Sequence, residues 1–326
     1  MNKPVILTSK NTADGAKYLN TFKFTHGPEV PVYDITSLSA FNQVIGHAKF
    51  INRAYGRVLY RGITKLYDNV RPSVFRNRKS GEAKDLRTVI NSIYKDKQFL
   101  SSLKINPASY SAPYNNDGEI NSINRNNKYI IEALLQHYSG NTSFIDVVDN
   151  HWVALWMGLY ECQHMGRGKR YSRYIKRIIP VHDFVEGSTS EHKSSRKLAE
   201  DNMYLYVLLI AVPDTDEKYA CGVQESDDLV VVDLRKSLPS IFLRPHAQHA
   251  LVVRKRQAPR AEDYDLASQV VGVIRVRIDY ASQWLGDGTL LTQDNLFPPP
   301  AFDQGYDNLL RNPLMFKHPF EIITYF

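Results

Sequence analysis

Side chains able to hold and act on an anionic ligand lie in three short segments of the sequence. The first is Tyr60-Arg61-Gly62, where an apolar run ends in an arginine and a glycine follows at once. A guanidinium can bind two phosphate oxygens in one plane, and a glycine lets backbone approach a ligand closely. Arg76 follows in Pro72-Ser73-Val74-Phe75-Arg76. Considered alone, this segment favours the simpler interpretation, in which Arg61 forms a structural ion pair at a strand end.

The second segment carries six polar side chains around one turn: Gln136, His137, Tyr138, Thr142, Ser143 and Asp146. A helix is predicted to begin soon after this turn, and its first backbone N–H groups could also receive an anion. Two members also have an ordinary structural explanation. His137 could be satisfied by a helix C-terminus, and Asp146 could be a cap or turn residue.

The third segment places Gln248 between two histidines, just before a predicted strand. Its amide could bind a substrate hydroxyl, or it could be a polar strand-edge residue that faces water.

Helices and strands that would position these side chains follow from periodicity. Helices are predicted to start near Asp34 or Ser37 and after Asp149 or Asn150, and to span 82–103, 128–138, 280–285 and 302–310. Strands are predicted over 57–61, 174–181, 204–212, 229–234, 249–254 and 270–278. Residues 1–35 look irregular with at most one short strand, and polar insertions are predicted near 105–127 and 184–200.

This succession of helices and then strands predicts an α+β fold, with a helix-rich N-terminal half packed on a mainly antiparallel β core. We expect an N-terminal extension and helix over 1–54, a central domain over 55–300 and a C-terminal tail over 301–326.

Composition limits the class of protein. Hydrophobic residues make up 43%, which is enough for a sizeable core, and the net charge of +7 suits a phosphate-bearing or polyanionic partner. Two cysteines give no disulfide framework, no residues lie at common metal-ligand spacing, and no apolar stretch approaches the roughly 20 residues that span a bilayer. No signal peptide is recognisable either, so we expect a cytoplasmic protein without metal or membrane attachment.

The order of the three segments resembles the FRG domain family. The matching stretches are Tyr60-Arg61-Gly62, Pro72 to Arg76, Gln136-His137-Tyr138, Thr142, Asp146, Val153-Ala154-Leu155-Trp156, Ala247-Gln248 and Leu296-Phe297-Pro298. The turn Ser139-Gly140-Asn141 replaces the family's usual Gly-Leu-Pro, so the chain looks like a divergent member. The resemblance implies association with bacterial toxins and phage defence, and hence a neutralising antitoxin protein.

The layout is also similar to that of ADP-ribosyltransferases of the Arg-Ser-Glu type. That likeness implies an ADP-ribosyltransferase-like core and an enzyme that uses NAD⁺ as substrate. Arg61 would hold the pyrophosphate or ribose, Thr142 or Ser143 would position the ribose, and Gln248 would bind its 2′-hydroxyl. The NAD⁺ site would also include Tyr60, Gly62, Arg76, Gln136 and Tyr138.

Catalytic roles and the acceptor stay open at this point. An amide takes up no proton, so either the nucleophile needs little activation or Asp146 or His137 acts as the base. Basic residues interleaved with tyrosines near 167–177, and a second basic cluster near 254–260, would suit a nucleic-acid acceptor, RNA or DNA, or they could form solvated loops. A protein acceptor, a nucleic-acid hydrolase using His137 and Asp146, and a non-catalytic nucleotide-binding module are the alternatives.

Overall fold

A computed structural model of the chain describes residues 3–8, 14–76, 82–105, 117–138, 141–165, 171–179, 202–217, 220–257, 261–312 and 324–325. The strands are β1 Ala16–Lys23, β2 Glu29–Ile35, β3 Gly56–Ile63, β4 Ile145–Val148, β5 Tyr160–Met165, β6 Tyr171–Lys176, β7 Tyr204–Pro213, β8 Val223–Glu225, β9 Leu229–Asp233, β10 Ala250–Lys255, β11 Val270–Arg277 and β12 Thr324–Tyr325. The helices are α1 Leu38–Asn52, α2 Glu82–Lys95, α3 Lys97–Ser102, α4 Asp117–Tyr138, α5 His151–Leu159, α6 Leu234–Ser237, α7 Leu243–Ala247, α8 Ile278–Trp284, α9 Gln293–Leu296 and α10 Gln304–Leu310.

Nine strands form one sheet in the order β1-β2-β11-β7-β3-β4-β10-β9-β8. Neighbouring strands are antiparallel except for β2 and β11, which run parallel. A second sheet has the order β12-β6-β5. The predicted α+β class with a mainly antiparallel sheet is therefore confirmed.

Helices cover the large sheet in two groups. Apolar residues of α1, α5 and α8 pack with those of β2, β3, β7 and β11 in one buried cluster. Apolar residues of α2, α3 and α4 pack with those of β9 and β10 in another. The C-terminal end of α4 and the helix α5 both reach the adjacent strands β3 and β4, where the three predicted segments meet.

The predicted boundaries of helices and strands differ from the observed ones where contacts with distant parts of the chain determine them. The first 35 residues contain two paired strands, whereas at most one short strand was predicted there. The strand β1 is not recognisable in the sequence, because it is a largely exposed edge strand with many polar residues. The helix predicted over 82–103 is broken at Asp96, whose side chain caps α3 by accepting from the N–H of Phe99. The strand predicted over 174–181 ends at Lys176, which pairs with Tyr160 at the start of β5.

The helix α4 begins at Asp117 rather than at residue 128, so part of the predicted polar insertion is helical. Asparagine lowers helix propensity by less than about 1 kcal/mol per residue, and a helix that is well packed further along can extend through such a stretch. Residues 106–116 and 184–200 lie outside the described part of the chain. No helix in the described ranges is both long and apolar enough to cross a membrane.

Candidate functional site

A cavity of about 800 Å³ opens over the ends of β3 and β4. Its polar and charged lining includes side chains from all three predicted segments, from the loop that follows β3 and from β5: Arg61, Arg71, Arg76, Gln136, His137, Asp146, Glu161 and Gln248. The fold thus brings together residues separated by as many as 187 positions of sequence, from Arg61 to Gln248.

Arg61 lies near the C-terminal end of β3, half-buried beside the cavity. Its Nη1 donates to the backbone carbonyl of Asp146 at 2.5 Å. Burial lowers the pKa of Arg61 to about 10, and Asp146 opposes that shift. The guanidinium is therefore charged at neutral pH, and its described hydrogen bond goes to a neutral group rather than to a carboxylate.

Two further guanidinium groups come from the loop after β3. Arg76 donates through Nε to the backbone carbonyl of Arg71 at 3.0 Å. The Nε of Arg71 lies 3.7 Å from Oδ2 of the buried Asp265, which is an ion-pair distance but too long for a hydrogen bond. Three arginines therefore line a cavity that contains two carboxylates, and the wall they form favours an anionic ligand.

Asp146 is the carboxylate at the centre of the site. Gln136 donates through Nε2 to its Oδ2, and Nδ1 of His137 lies 3.5 Å from its Oδ1. Oδ1 is buried, yet 41% of the side chain is exposed, so the exposed remainder faces the cavity. Gln136 and His137 orient the carboxylate on its protein side, and its exposed part is accessible from the cavity, as a proton acceptor for a bound molecule must be.

His137 backs this carboxylate as a buried, neutral imidazole. Burial lowers its pKa below the ordinary value of 6.5, and Asp146 partly opposes the shift. With Nδ1 toward Asp146, the neutral ring presents its proton there and keeps the lone pair on Nε2, a tautomer assigned from this geometry. Nε2 has no hydrogen-bond partner within the described ranges.

Gln248 closes the opposite side of the site. It caps α7 immediately before β10, and its buried side chain donates through Nε2 to the carbonyl of Leu296 at 2.7 Å. That bond fixes the amide plane and leaves its carbonyl oxygen as an acceptor. The sequence placed Gln248 correctly just before a strand, but the tether to Leu296 has no signature in the sequence.

Three predicted site residues do not line the cavity. The hydroxyl of Thr142, which is fully buried, donates to Oε1 of Gln136 at 2.6 Å and accepts from the N–H of Phe144 at 3.1 Å. The backbone N–H and hydroxyl of Ser143 both donate to Glu132, and the hydroxyl of Tyr138 donates to Asp303. Thr142, Ser143 and Tyr138 hold the surrounding turn and helix end in place.

Gly62 serves packing rather than approach to a ligand. A Cβ at this position would lie 1.7 Å from the backbone oxygen of Ala154, so only glycine lets α5 pack this close to β3. Its neighbour Tyr60 lines the cavity but directs its ring into the apolar cluster with α1 and α5.

An aromatic wall of the cavity was not predicted from the sequence. It consists of Tyr160, Tyr174 and Phe297, with the apolar side chain of Met157 in the same lining, and the rings of Tyr174 and Phe297 stack with centroids 4.5 Å apart. Tyr174 reaches this wall because β6 pairs with β5. Only Phe297 lay in a motif that could have signalled it.

The described residues of the second predicted basic cluster behave differently from the cavity arginines. Arg254, Lys255 and Arg256 form ion pairs with Glu132, Asp228 and Glu225, respectively. Arg167, Lys169, Arg170 and Arg260 lie outside the described residues. In the described part of the chain, no group of three or more His, Cys, Asp or Glu residues could hold a metal ion.

Comparison with known proteins identifies one domain. Residues 56–165 match the family model of the FRG domain. No curated protein and no solved structure matches the chain. The matched segment contributes Arg61, His137 and Asp146 to the cavity, whereas Gln248 lies beyond it. The chain therefore carries an FRG domain over residues 56–165.

Proposed function

We propose that the cavity binds NAD⁺ and that the protein is an ADP-ribosyltransferase. The observation that carries this proposal is the pairing of Arg61 with Asp146, in which a half-buried cation is anchored to the backbone carbonyl of the residue whose carboxylate faces the cavity. A cation beside an accessible carboxylate suits a reaction in which an anionic substrate is held while a proton is removed next to it.

The size and lining of the cavity agree with a dinucleotide. Ligand pockets commonly measure about 300–1,000 Å³, and this cavity of about 800 Å³ lies in the upper part of that range. A dinucleotide carries a pyrophosphate between two planar rings. The arginine wall offers charge-assisted hydrogen bonds to the pyrophosphate, and the aromatic wall offers a stacking surface to a ring.

In the proposed reaction, the bond between the nicotinamide nitrogen and C1′ of its ribose breaks. Nicotinamide leaves with the electron pair, and positive charge develops on the ribose ring. An oxygen or nitrogen of the acceptor then bonds to C1′ and gives its proton to the exposed edge of Asp146. Gln136 donates a hydrogen bond to this carboxylate, and Nδ1 of His137 lies 3.5 Å from its other oxygen; together they fix its orientation.

Gln248 has a positioning role in this scheme. Its amide cannot take up a proton, but its oxygen can accept a hydrogen bond from a ribose hydroxyl. Thr142 acts through Gln136 rather than on the ribose, because its hydroxyl is buried against that amide. The role of Thr142 therefore differs from the one that the resemblance implied, which was to position the ribose.

The FRG domain leads to the wider biological proposal. We infer that the domain has an ADP-ribosyltransferase-like core and that the protein acts in the cytoplasm as a toxin in phage defence or a toxin–antitoxin pair, with a neutralising partner. The acceptor is a macromolecule with an accessible nucleophile, either nucleic acid or protein.

Incubation with NAD⁺ labelled in the adenine ring tests the proposal. The protein is mixed with separate pools of RNA, DNA and protein, and both released nicotinamide and labelled acceptor are measured. We expect release of nicotinamide together with label in one pool. Cleavage of nucleic acid without NAD⁺ would instead support the hydrolase alternative, and binding of NAD⁺ without turnover would support a binding module.

A matched pair of variants shows whether the cavity is responsible. Asp146→Asn removes the proton acceptor, and turnover is expected to fall by about 10²–10⁴-fold. Asp279→Asn is the control, because Asp279 has a similar exposure of 38%, pairs with Arg277 and does not line the cavity. Equal activity in the two variants contradicts the assignment of Asp146.

A further inference from the structure

Arg244 is a fully buried arginine that sequence analysis did not single out. It lies in α7, with its guanidinium carbon 4.3 Å from the ring centroid of Tyr138, 4.7 Å from that of Tyr306 and 5.4 Å from that of Phe297. Burying a charge costs several kcal/mol unless partners compensate it. Such a residue therefore needs surroundings built to hold it.

Asp303 supplies the opposite charge in the same region and is also fully buried. Its Oδ2 accepts from the hydroxyl of Tyr138 at 2.7 Å and from the backbone N–H groups of Leu243 and Arg244 at 3.2 Å, and its Oδ1 accepts from the N–H of Tyr306 at 2.9 Å. This carboxylate ties the end of α4, the start of α7 and the start of α10 together.

Three residues of the cavity are each in direct contact with Arg244. Its Nη1 donates to the backbone carbonyl of His137 at 3.2 Å, at the C-terminus of α4 where a cation is favourable. Its own carbonyl accepts from the N–H of Gln248 at 3.0 Å. Its guanidinium lies over the ring of Phe297, and Leu296 next to it accepts from the side chain of Gln248.

We propose that Arg244 is a positioning residue that fixes His137, Gln248 and Phe297 relative to one another and so sets the shape of the side of the cavity opposite Arg61. The inference concerns the ligand-free protein and does not depend on which nucleotide binds. It gives a reason for burying an arginine where a neutral side chain would cost less, since only a planar cation can face three rings and also donate to a carbonyl.

The titration midpoint of His137 in the folded protein can test this role, because a substitution that only lowers stability would leave that midpoint unchanged. The charged groups that affect its pKa are Asp146 on β4, Arg244 on α7 and Asp303 before α10. Arg244 lowers this pKa, so removing its charge is expected to raise the titration midpoint of His137. NMR of the ring signal in the ligand-free protein, assigned with His137→Gln, measures it.

Two substitutions form the test. Arg244→Met keeps an unbranched, largely apolar side chain and removes the charge. Arg275→Met is the matched control, because Arg275 also lies over a ring, that of Tyr204 at 4.0 Å, and pairs with Asp34 away from the cavity. We expect Arg244→Met to move the His137 titration and the side-chain amide signal of Gln248, and Arg275→Met to move neither. Unchanged signals in a folded Arg244→Met protein overturn the proposal.

Arg244→Lys decides the question if Arg244→Met does not fold. Lysine keeps the charge but not the planar fork, so the Gln248 amide signal is expected to move while the His137 midpoint stays close to that of the unmodified protein. A Gln248 signal identical to that of the unmodified protein overturns the proposal.

A kinetic measurement extends the test and rests on the proposed function. Arg244→Lys is expected to lower kcat for NAD⁺ by about 10-fold or more with a smaller change in KM, because misplaced groups impair the reaction more than they impair binding. If the unmodified protein does not turn over NAD⁺, the proposed function fails, while the two NMR signals still decide the role of Arg244.

Discussion

Two arginine-bearing regions of this protein use the same side chain in opposite ways. In the cavity, Arg61 and Arg76 donate to backbone carbonyls, whereas Arg71 forms an ion pair with Asp265 at 3.7 Å. In the run 254–256, each cation forms an ion pair with a carboxylate of another segment, at distances of 2.5–3.5 Å. A carbonyl holds a guanidinium in place without cancelling its charge, whereas a carboxylate cancels it.

This difference separates a binding surface from a structural one. A cation that already has a carboxylate partner has little attraction left for a phosphate, since the ligand would have to compete with that partner. The count of basic residues in the sequence cannot make this distinction. The cavity arginines should therefore affect ligand affinity, and those of 254–256 should affect stability.

The largest expected effect concerns stability at Arg254. Its Nη1 lies 3.1 Å from Oε2 of Glu132, and both side chains are largely buried. Arg254→Met leaves the Glu132 carboxylate without its cation, and the free energy of unfolding is expected to fall by about 3 kcal/mol. Urea unfolding monitored by circular dichroism measures this. A decrease of less than about 1 kcal/mol in the free energy of unfolding would mean that the Arg254–Glu132 pair contributes no more than a solvent-exposed ion pair.

Arg61→Met should give the opposite result. The unfolding free energy is expected to change by less than about 1 kcal/mol, because one hydrogen bond to a carbonyl is lost. Affinity for ADP-ribose, which carries the pyrophosphate without nicotinamide, is expected to fall by about 100-fold, the cost of losing a buried charged contact. Calorimetric titration of Arg61→Met, with Arg254→Met as the control, makes the comparison direct. Equal affinities would remove the distinction between the two regions.

Thr142 sharpens the comparison between residues that contact the ligand and residues that support them. Thr142→Val removes a buried hydroxyl that serves both Gln136 and Phe144, so a loss of about 1–3 kcal/mol in unfolding free energy is expected. Thr142→Ser keeps the hydroxyl and should restore most of it. If Thr142→Val instead keeps its stability and loses only ADP-ribose affinity, the hydroxyl acts on the ligand, as the resemblance implied.

The sequence predicted the parts of this site that depend on residue type, and missed those that depend on pairing. Arg61, His137, Asp146 and Gln248 were found because cationic, acidic and amide groups near predicted turns are chemically conspicuous, and they do line one cavity. Whether a hydroxyl faces a cavity or a neighbouring amide is set by packing, so Thr142 was assigned to the ligand.

The aromatic wall and the buried arginine show the same limit. Tyr160 and Tyr174 are brought to the wall by the pairing of β5 with β6, a long-range choice that no local pattern encodes. Arg244 looks like an ordinary exposed cation in the sequence, because arginine is almost never fully buried. Its burial requires Asp303 and three rings that come from distant parts of the chain.

The smallest expected effect is a dependence of stability on pH that arises from His137. Burial lowers its pKa in the folded protein below the ordinary value of 6.5, so below about pH 6.5 the unfolded chain binds a proton that the folded protein does not. The contribution of His137 to stability is thus complete above pH 6.5 and is lost as the pH falls, by at most about 1.4 kcal/mol per pH unit.

The variant His137→Gln isolates this contribution, because glutamine stays neutral and can still donate a hydrogen bond to Asp146. Urea unfolding between pH 5 and 7 should show a shallower loss of stability in this variant than in the unmodified protein. Some slope will remain, since burial also lowers the pKa of His151. His47→Gln, an exposed position on α1, should leave the slope unchanged. Identical slopes in His137→Gln and the unmodified protein would mean that His137 is exposed to water in the folded protein. The carboxylate of Asp146 would then have no buried imidazole beside it to fix its orientation, and the contrast between the cavity and the ion pairs of 254–256 would be weakened.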